Sequence, residues 1–372
     1  MDDLQFWAAL SRVPQLGTVR FRRLESYFGT LDRAWQASRS ELKAAGLEDR
    51  VADAVLEAQR TLSPAGEMER LEHAGVQVVN WHHSGYPPRL KETADPPPVL
   101  YVKGQVLAED ERSVAVVGTR NPTAYGREAA AALTADLARR GITIISGLAL
   151  GIDGVAHRAA LENGGRTIAV VANGLDITYP KEHARLSQQV EQRGAVVSEH
   201  PLGVRPDARS FPRRNRLISG MSLGTLVVEA GEGSGTFWTV RHALDQNREV
   251  FCVPGSIFSP ASVGTNRLIQ EGAKLVSTYI DVLEELNLSS VTRQIPMPLP
   301  QEVAGGSGDA AGAVLGQLDQ EPLHIDDIRR RANLPITTVS SLLTLLEIQG
   351  KVKQVGCMHY IRVREATAAY GD

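Results

Sequence analysis

Short continuous runs of apolar residues recur through the middle of the chain, and stretches with apolar residues at helical spacing separate most of them. The runs are 113–118, 142–147, 167–172, 195–200, 224–230, 249–255 and 273–277. The helical stretches include 126–140, 152–163, 182–193 and 236–246. Apolar strands that alternate with helices are typical of a parallel sheet with both faces covered. The pattern therefore predicts an α/β fold built on a Rossmann-like, mostly parallel, doubly covered sheet.

Residues 1–80 follow a different pattern, in which apolar residues such as Leu4, Trp7 and Leu24 recur at helical spacing. They predict a small helical domain of the SAM or helix-hairpin-helix type. Within it, segment 13–23 is a glycine-containing turn that opens a basic helix, and the amides of such a helix start can hold a backbone phosphate. A plain turn between two helices, with solvated arginines, is the alternative interpretation.

Segments rich in proline, glycine and serine divide the rest of the chain. Residues 81–288 are assigned to the extended Rossmann-like domain, and the prolines of segment 85–112 predict a stiff connector within it. Residues 289–312 have the composition of a flexible linker. The helical patterns of the last segment, 313–372, are 313–319, 325–332 and 336–349. Together with the hairpin pattern that follows them, they predict a winged helix.

Composition changes this picture only through charge and cysteine content. The chain of 372 residues is long enough for two or three domains, and its net charge of -3 gives the whole molecule no attraction for nucleic acid. Any such binding has to come from a local basic patch. The two cysteines, Cys252 and Cys357, lie far apart, which favours a reducing compartment and no disulfide. Because no signal peptide and no run of about 18 apolar residues is present, we expect a cytoplasmic protein that does not cross a membrane.

Segment 209–222 concentrates positive charge at the edge of the predicted sheet. Four arginines and Phe211 fall within eight residues, between the apolar runs 195–200 and 224–230. Ligands of open α/β sheets bind outside the carboxyl ends of the strands, where this segment is expected. Asp207 is the only acidic residue between Glu199 and Glu229, so nearby residues do not balance the arginines. The segment predicts a phosphate-binding surface, and a solvated face of a surface helix is the alternative.

Loops rich in small, turn-forming residues follow several predicted strands. They are 117–126, 146–157, 173–181 and 232–239. Glycine lets backbone amides approach an anion closely, and the start of the following helix favours negative charge. The side chains expected to contact phosphates there are Arg120, Lys181, Arg213, Arg214 and Arg216. An extended row of such sites suits a polynucleotide better than a mononucleotide.

Motifs for cofactors, metals and catalysis are missing from the sequence. Neither the Gly-x-Gly-x-x-Gly dinucleotide fingerprint nor a P-loop is present, and no histidine or cysteine pair has metal-ligand spacing. Single histidines such as His157 are expected to cap a helix or pack in the core. Asp153 and Asp176 are expected to fix loops by accepting backbone amides. We therefore predict no cofactor, no metal and no catalytic residue.

Several of these motifs together resemble the DNA-processing protein A family, also called DprA/Smf, of natural transformation. The motifs are VVGTR at 116–120, SGLALGID at 146–153 with AH at 156–157, NGLD at 173–176 with YP at 179–180, and FPRRNRLISG at 211–220. The resemblance continues through VEA at 228–230, SGT at 234–236, VPG at 253–255 and GTN at 264–266, with LI at 268–269 and GA at 272–273. It covers much of the predicted sheet in order.

The resemblance implies a dimeric protein that binds single-stranded DNA in a basic pocket and loads the RecA recombinase. It implies a DNA-binding mediator and no enzyme, with RecA, a second copy of the chain and single-strand binding protein as partners. The residues to which it assigns DNA contact are Arg120, Lys181, Phe211, Arg214, Asn215 and Arg216. The loops and the basic segment add Gly118, Thr119, Gly147, Gly174 and Arg213 to the predicted DNA-binding residues. Phe211 and Tyr179 offer ring faces for an unpaired base, and packing under the loop is the alternative for both.

The chain departs from the family pattern at a few positions. Thr119 stands where serine is usual, Met221 stands where leucine is usual, and the residues Thr-Phe-Trp at 236–238 replace the more typical Ser-Leu-Ile. Threonine keeps the hydroxyl of serine, so the pocket is expected to survive the first departure. The predicted recognition helix 336–349 has no arginine or lysine, which speaks against sequence-specific reading of duplex DNA. Lys351, Lys353 and Arg362 leave nonspecific phosphate contact open, and protein contact is the other interpretation.

Two other functions compete with a single-stranded DNA mediator. Nucleotide phosphoribohydrolases of the lysine-decarboxylase-like family carry a Pro-Gly-Gly-x-Gly-Thr-x-x-Glu motif at the equivalent turn, but Thr239 occupies the place of the catalytic glutamate. A winged-helix transcription regulator with a ligand-sensing Rossmann-like domain is the third possibility. The nonbasic recognition helix speaks against that regulator.

Overall fold

The computed structural model describes residues 3–288, 307–319, 321–355 and 358–363. The chain divides into two compact units, residues 1–291 and 292–372. Of the predicted linker, residues 289–306 lie outside the described residues, and residues 307–312 belong to a helix. The proline-rich composition therefore places the start of the last helical unit a few residues too late.

The first unit contains helices and strands in alternation after an all-helical start. Its helices are α1 (Leu4–Ser11), α2 (Thr18–Phe28), α3 (Leu31–Gln36), α4 (Arg39–Ala44), α5 (Asp49–Thr61), α6 (Pro64–His73), α7 (Pro88–Lys91), α8 (Ala124–Arg139), α9 (Ile152–Glu162), α10 (Ala184–Arg193), α11 (Ser210–Gly220), α12 (Thr236–Asp245), α13 (Val263–Gln270) and α14 (Tyr279–Glu285). Its strands are β1 (Gln77–Asn80), β2 (Val99–Gly104), β3 (Ser113–Val117), β4 (Thr143–Ser146), β5 (Thr167–Val171), β6 (Ala195–Ser198), β7 (Gly224–Val227), β8 (Glu249–Cys252) and β9 (Lys274–Leu275). Short 3-10 turns are present at Ala108–Glu111, Lys181–His183 and Pro260–Ser262.

These strands form one sheet with the order β1-β2-β6-β5-β4-β3-β7-β8-β9. All pairings from β6 to β9 are parallel, as in the register of Val114 opposite Ile144 and Gly224, whereas β1, β2 and β6 pair antiparallel. The predicted strands and the mostly parallel sheet are confirmed. The sequence missed β1 and β2, because it assigned β1 to the helical region and β2 to the stiff connector. The prolines that suggested a connector end at Pro98, so the next residue can begin a hydrogen-bonded strand.

Both faces of the sheet are covered, as predicted. Along β3, Val114 and Val116 point to a hydrophobic cluster that includes side chains of α8, α9 and α14. Ala115 and Val117 point to the other face, where one cluster includes α10, α11, α12 and the N-terminal helices. The alternation along one strand divides the interior into two layers.

The N-terminal helices share the core of the sheet and do not form a separate one. Trp7 stacks on Phe21 at 5.6 Å between ring centroids, and the ring of Trp81, which follows β1, meets Trp7 edge-on at the same distance. These side chains belong to the cluster that continues to Val117 in the sheet. Apolar spacing predicted the helices, but it could not show that their apolar faces are buried against strands.

The second unit has the helices and the hairpin that predicted a winged helix. Its elements are α15 (Ser307–Leu315), α16 (Ile325–Ala332) and α17 (Ile336–Ile348), and the strands β10 (Leu323–His324), β11 (Val352–Gln354) and β12 (His359–Arg362). The strands pair antiparallel in the order β10-β12-β11. Val314, Ile328, Val339 and Leu343 meet in its core.

Two smaller predictions concern cysteines and membranes. Cys252 is a free thiol buried at the end of β8, and Cys357 lies outside the described residues. Across the described part of the chain, each helix is too short or too polar to span a bilayer.

Candidate nucleic-acid interface

A cleft of about 680 Å³ opens at the carboxyl ends of β3 and β7. Strand β3 lies between β4 and β7, so the strand order reverses there, and open α/β sheets bind their ligands at such a reversal. The walls of the cleft come from the loop after β3, from the region of α11 and from the start of α12. The basic segment 209–222 is therefore mostly a helix that borders the cleft, as the sequence placed it.

Arg120 lies exposed on the loop after β3 and lines the cleft. The loop is held on both sides: the amide of Thr119 donates to the carbonyl of Glu229 at 2.8 Å, and its carbonyl accepts from the amide of Ile152 at 3.2 Å. The Arg120 guanidinium lies 5.4 Å from the ring centroid of Phe211, and no carboxylate among the described residues pairs with it. A fixed loop thus presents an uncompensated positive charge to the cleft.

The rings of Phe211 and Tyr179 form an aromatic wall beside Arg120. Their centroids are 5.7 Å apart at an angle of 40°, and both residues line the cleft. Phe211 is half-buried, whereas Tyr179 is exposed. Phe211 therefore packs against its neighbours and still faces the cleft, so packing and base stacking do not exclude each other at this position.

Arg214, which the sequence predicted to contact phosphates, makes its hydrogen bonds within the protein. Its side chain is buried, and its Nη1 donates hydrogen bonds to the carbonyls of Gly147 and Val170, at the ends of β4 and β5. Burial lowers the pKa of Arg214 to about 10, while the nearby charge of Asp153 acts in the opposite direction. The guanidinium lies so close to Gly147 that a Cβ there would be 2.6 Å from it. Arg214 thus stabilises the floor of the cleft through protein carbonyls.

Arg216 is also committed within the protein. Its guanidinium forms ion pairs with Glu199, which follows β6, and with Asp95, which precedes β2. Its side chain is only 12% exposed. Arg216 therefore has acidic partners that its neighbours in the sequence did not indicate, because Asp95 is distant in the chain and Glu199 lies 17 residues before Arg216.

The other predicted residues divide between the cleft and its surroundings. Gly118, Thr119 and Asn215 line the cleft, and the Asn215 amide oxygen accepts from Nε of Arg214 at 3.2 Å. Lys181 and Arg213 are exposed but lie outside the lining. Gly174 is buried, and its amide donates to the carbonyl of Val204 at 2.9 Å, so it fixes the loop after β5.

Polar groups around the cleft have structural roles. Asp153 accepts from the amide of Ala149 at 3.2 Å, and Asp176 accepts from the amide of Gly203 at 2.9 Å, which confirms both as loop-fixing carboxylates. His157 is buried beside Thr167, with Nδ1 at 2.7 Å from the hydroxyl oxygen, and burial lowers the pKa of His157 to about 3. Its predicted packing role is confirmed. Across the residues with described positions, no three metal-ligating side chains come together.

Two contributors to the cleft were not singled out from the sequence. Glu229 is buried and accepts from the amide and the hydroxyl of Thr123, at 2.9 and 2.6 Å, so it anchors the loop that carries Arg120. Trp238, in the first turn of α12, lines the cleft and is 49% exposed. Both residues are more than a hundred positions from Arg120 in the sequence, so the sequence did not indicate that they lie at the same cleft.

The winged-helix unit offers basic residues on other elements than α17. Helix α17 carries no arginine or lysine, and the basic side chains of the unit include Arg329, Arg330 and Arg331 on α16. Lys351, Lys353 and Arg362 are exposed on the hairpin. Specific reading of duplex bases by α17 therefore lacks the side chains that usually perform it.

Comparison with protein families identifies the group to which this architecture belongs. A family described as DNA recombination-mediator protein A matches residues 77–287, from β1 to the end of the sheet unit. The chain belongs to this family. A model of the DprA winged-helix domain matches residues 298–356, in agreement with the fold of the second unit. The match confirms the resemblance drawn from the motifs, and the family is one of recombination mediators.

Individual relatives support the same assignment over nearly the full chain. Protein Smf of Escherichia coli is 39% identical, over 98% of this chain and 97% of that protein. The DNA processing protein DprA of Bacillus subtilis is 41% identical, over 67% of this chain and 82% of that protein. Among solved structures, DprA of Streptococcus pneumoniae aligns with a TM-score of 0.67 at 33% identity, over 77% of this chain and 99% of that chain. A structure of the Helicobacter pylori protein, described by its single-stranded DNA binding mode, aligns with a TM-score of 0.52 at 30% identity, over 57% of this chain and 95% of that chain.

Proposed function

We propose that this recombination mediator binds single-stranded DNA in the cleft at the carboxyl ends of β3 and β7 and passes the strand to RecA. The observation that carries the proposal is Arg120, an exposed cation without a carboxylate partner among the described residues, beside the aromatic wall of Phe211 and Tyr179. A cation next to exposed rings is the combination that single-stranded nucleic acid needs, because phosphates and unpaired bases are both accessible.

Each group at the cleft has a separate task in this proposal. Arg120 neutralises a phosphate, Lys181 and Arg213 contact phosphates where the strand leaves the cleft, and the rings of Phe211 and Tyr179 receive a base. Gly118 and Thr119 belong to the loop that presents Arg120 to the strand, and the hydrogen bond from the Thr119 amide to the Glu229 carbonyl fixes that loop. Arg214, Asn215, Gly147 and Gly174 support the shape of the cleft, and Arg216 joins the basic helix to Asp95 and Glu199.

The proposed partners of the protein are RecA, single-strand binding protein and a second copy of the chain. We also propose that the protein acts in the cytoplasm, where these partners meet DNA. Ile257 and Phe258 are 81% and 89% exposed on the loop after β8. Apolar side chains with so much exposure commonly mark a surface that another protein covers. We assign this loop to the contact between two copies.

A catalytic role for the cleft has less support. Thr239, which stands where a phosphoribohydrolase has its glutamate, is buried and lines the cleft with a hydroxyl that offers no charge. A hydroxyl of ordinary pKa is a poor general base. Nucleotide hydrolysis is therefore the second candidate, and a mediator without enzymatic activity is the function we propose.

The proposal is tested by measuring the binding of one fluorescent oligonucleotide as a single strand and as a duplex across a series of salt concentrations. We expect a strong preference for the single strand and a steep decrease of affinity with salt. Equal affinity for both forms would contradict base stacking, and binding that does not depend on salt would contradict phosphate contact. If neither form binds, a screen for nucleotide hydrolysis tests the second candidate.

A further inference from the structure

Trp238 differs from the other tryptophans of the chain. All four tryptophans lie in the described part of the chain, and Trp7, Trp35 and Trp81 are at most 8% exposed, whereas Trp238 is 49% exposed. It lies in the first turn of α12 and borders the same cleft as Arg120 and Phe211. A large indole ring is thus held at the surface of the proposed DNA site.

The helix start orients Phe237 and Trp238 to opposite environments. Phe237 packs against the main core and lies so close to Gly264 that a Cβ there would be 2.8 Å from the ring. The next residue along a helix points about 100° away, which directs Trp238 out of the core. The turn is fixed by hydrogen bonds of the amides of Phe237 and Trp238 to the carbonyls of Ser234 and Gly235, at 3.2 Å each. The exposure of Trp238 therefore belongs to an ordered helix.

The position of Trp238 relative to the other rings suggests a second place for a base. Tyr179 and Phe211 come from the loop after β5 and from α11, whereas Trp238 comes from α12 and lines the same cleft. An unpaired base has a π-face that stacks on an aromatic side chain, whatever the base. Leaving half of an indole in water forgoes burial that stacking would recover.

We propose that Trp238 forms a second base-binding subsite, in which its indole stacks on an unpaired base of the strand whose phosphates Arg120 contacts. This inference rests on the proposed binding of single-stranded DNA in the cleft. It adds that the strand places bases on aromatic rings from separate elements, Phe211 with Tyr179 and Trp238. The subsite takes any base, so it raises affinity for single strands without adding sequence preference.

The experiment follows the fluorescence of Trp238, because quenching by added acrylamide selects exposed indoles and the other tryptophans are buried. The probes are an oligothymidine of about 16 nucleotides and an abasic oligonucleotide of equal length, which keeps the phosphates and lacks the bases. We expect the oligothymidine to quench the fluorescence and to protect Trp238 from acrylamide, and the abasic strand to do neither at equal occupancy. Occupancy is measured independently from the anisotropy of a dye on the strand.

Two substitutions separate stacking from other roles of Trp238. W238I should weaken oligothymidine binding about tenfold and leave abasic binding unchanged, and W238F should restore most of the affinity because it keeps a ring. L244A is the matched control, since Leu244 is exposed on the same helix outside the cleft lining. Thermal unfolding of each variant shows that the helix is retained.

The outcomes distinguish this inference from the proposed function. Wild-type binding of oligothymidine without a change in Trp238 fluorescence, together with unchanged affinity of W238I, would overturn the subsite and leave the cleft proposal standing. No binding by the wild-type protein would overturn both. If acrylamide fails to quench Trp238 in the DNA-free protein at every protein concentration, another part of the protein covers the ring. That result would also overturn the subsite.

Discussion

The arginines of one basic segment have different roles, and their partners decide which role each has. Arg213 is exposed, Arg214 is buried against the carbonyls of Gly147 and Val170, and Arg216 is paired with Asp95 and Glu199. The sequence shows the number of positive charges but not the acids and carbonyls that meet them. The DNA contact of each residue consequently has to be tested one at a time.

Replacing Arg120 with alanine should weaken the binding of single-stranded DNA for all sequences alike. Loss of one phosphate contact should reduce the slope of log affinity against log salt by about 0.7. Arg60→Ala is the control, because Arg60 is highly exposed on α5 outside the cleft and its loss changes the net charge equally. The measurement is a salt titration of oligonucleotide binding. An unchanged slope for Arg120→Ala would remove this side chain from the interface.

Replacing Arg214 with methionine should reduce the stability of the protein and leave its phosphate contacts with DNA unchanged. The substitution removes the hydrogen bonds from Arg214 to two carbonyls and leaves Asp153 without a compensating charge, so the free energy of unfolding should decrease by about 3 kcal/mol. Urea denaturation measures this change, and the salt slope of DNA binding by the folded fraction should stay that of the wild type. Unchanged stability with a reduced slope would show that Arg214 contacts the strand directly.

His157 should make the protein less stable in mild acid. Burial lowers the pKa of His157 to about 3, below the unfolded value, so the unfolded state binds the proton first as pH decreases. Above about pH 6.5, His157 is neutral in both states and does not lower the free energy of unfolding. Below that pH the free energy of unfolding decreases, by about 2 kcal/mol between pH 7 and pH 5. The difference in urea denaturation between the wild type and His157→Asn at the two pH values isolates this contribution. An equal change in both proteins would assign the acid effect to other groups, such as His200 and His242, whose pKa values are also lowered by burial.

At the scale of elements, the cleft depends on how the loops after β3 and β4 fit together. Gly151 has a φ of +84°, and a Cβ on it would lie 2.3 Å from the carbonyl oxygen of Thr119 and 2.6 Å from the carbonyl carbon of Arg120. The amide of the next residue, Ile152, donates to the same Thr119 carbonyl. The start of α9 therefore determines the position of the loop that carries Arg120.

Gly151→Ala should therefore displace the Arg120 loop and weaken DNA binding about as much as Arg120→Ala. Gly164→Ala is the matched control, because Gly164 has a φ of +73° but no atom within 4 Å of the added carbon. Both substitutions should reduce the free energy of unfolding by about 1 kcal/mol or more from backbone strain, and only Gly151→Ala should affect affinity. Oligonucleotide titration and urea denaturation give the two quantities. Normal affinity of Gly151→Ala would mean that the loop tolerates the shift.

At the scale of the whole molecule, the charge of the chain does not attract DNA, and its exposed apolar residues suggest association. The net charge is -3, so the proposed binding comes from the cleft.

Phe258→Asp should separate two copies, because burying a carboxylate in an apolar contact is costly. Val19→Asp is the control, since Val19 is 62% exposed on α2, in the N-terminal helical region. Sedimentation velocity measures the mass, and an unchanged mass of Phe258→Asp would exclude this loop from the contact.

Much of the architecture follows from local patterns in the chain. Continuous apolar runs predict the parallel strands β3 to β9, and the helical period of apolar residues predicts the helices between them and the winged-helix unit. Both signals are local, because a strand buried on two faces and a helix buried on one face each carry their own apolar pattern. Motifs in the loops after β3, β4 and β5 and in the basic segment predicted a phosphate-binding surface at the carboxyl ends of the strands, where the cleft lies. Loop-fixing roles for Asp153 and Asp176 also followed, because short carboxylates commonly accept nearby amides.

Contacts between segments far apart in the chain required the tertiary structure. Strand β2 pairs with β6, and β1 extends the sheet by pairing with β2. The charge of Arg216 is balanced in part by Asp95, and the carbonyls that bind Arg214 lie at the ends of two separate strands. Trp238 and Arg120 likewise line one cleft although they are more than a hundred residues apart. Local pattern records which face of a segment is apolar, whereas pairing, burial of charge and the lining of a cleft depend on which segments the fold brings together.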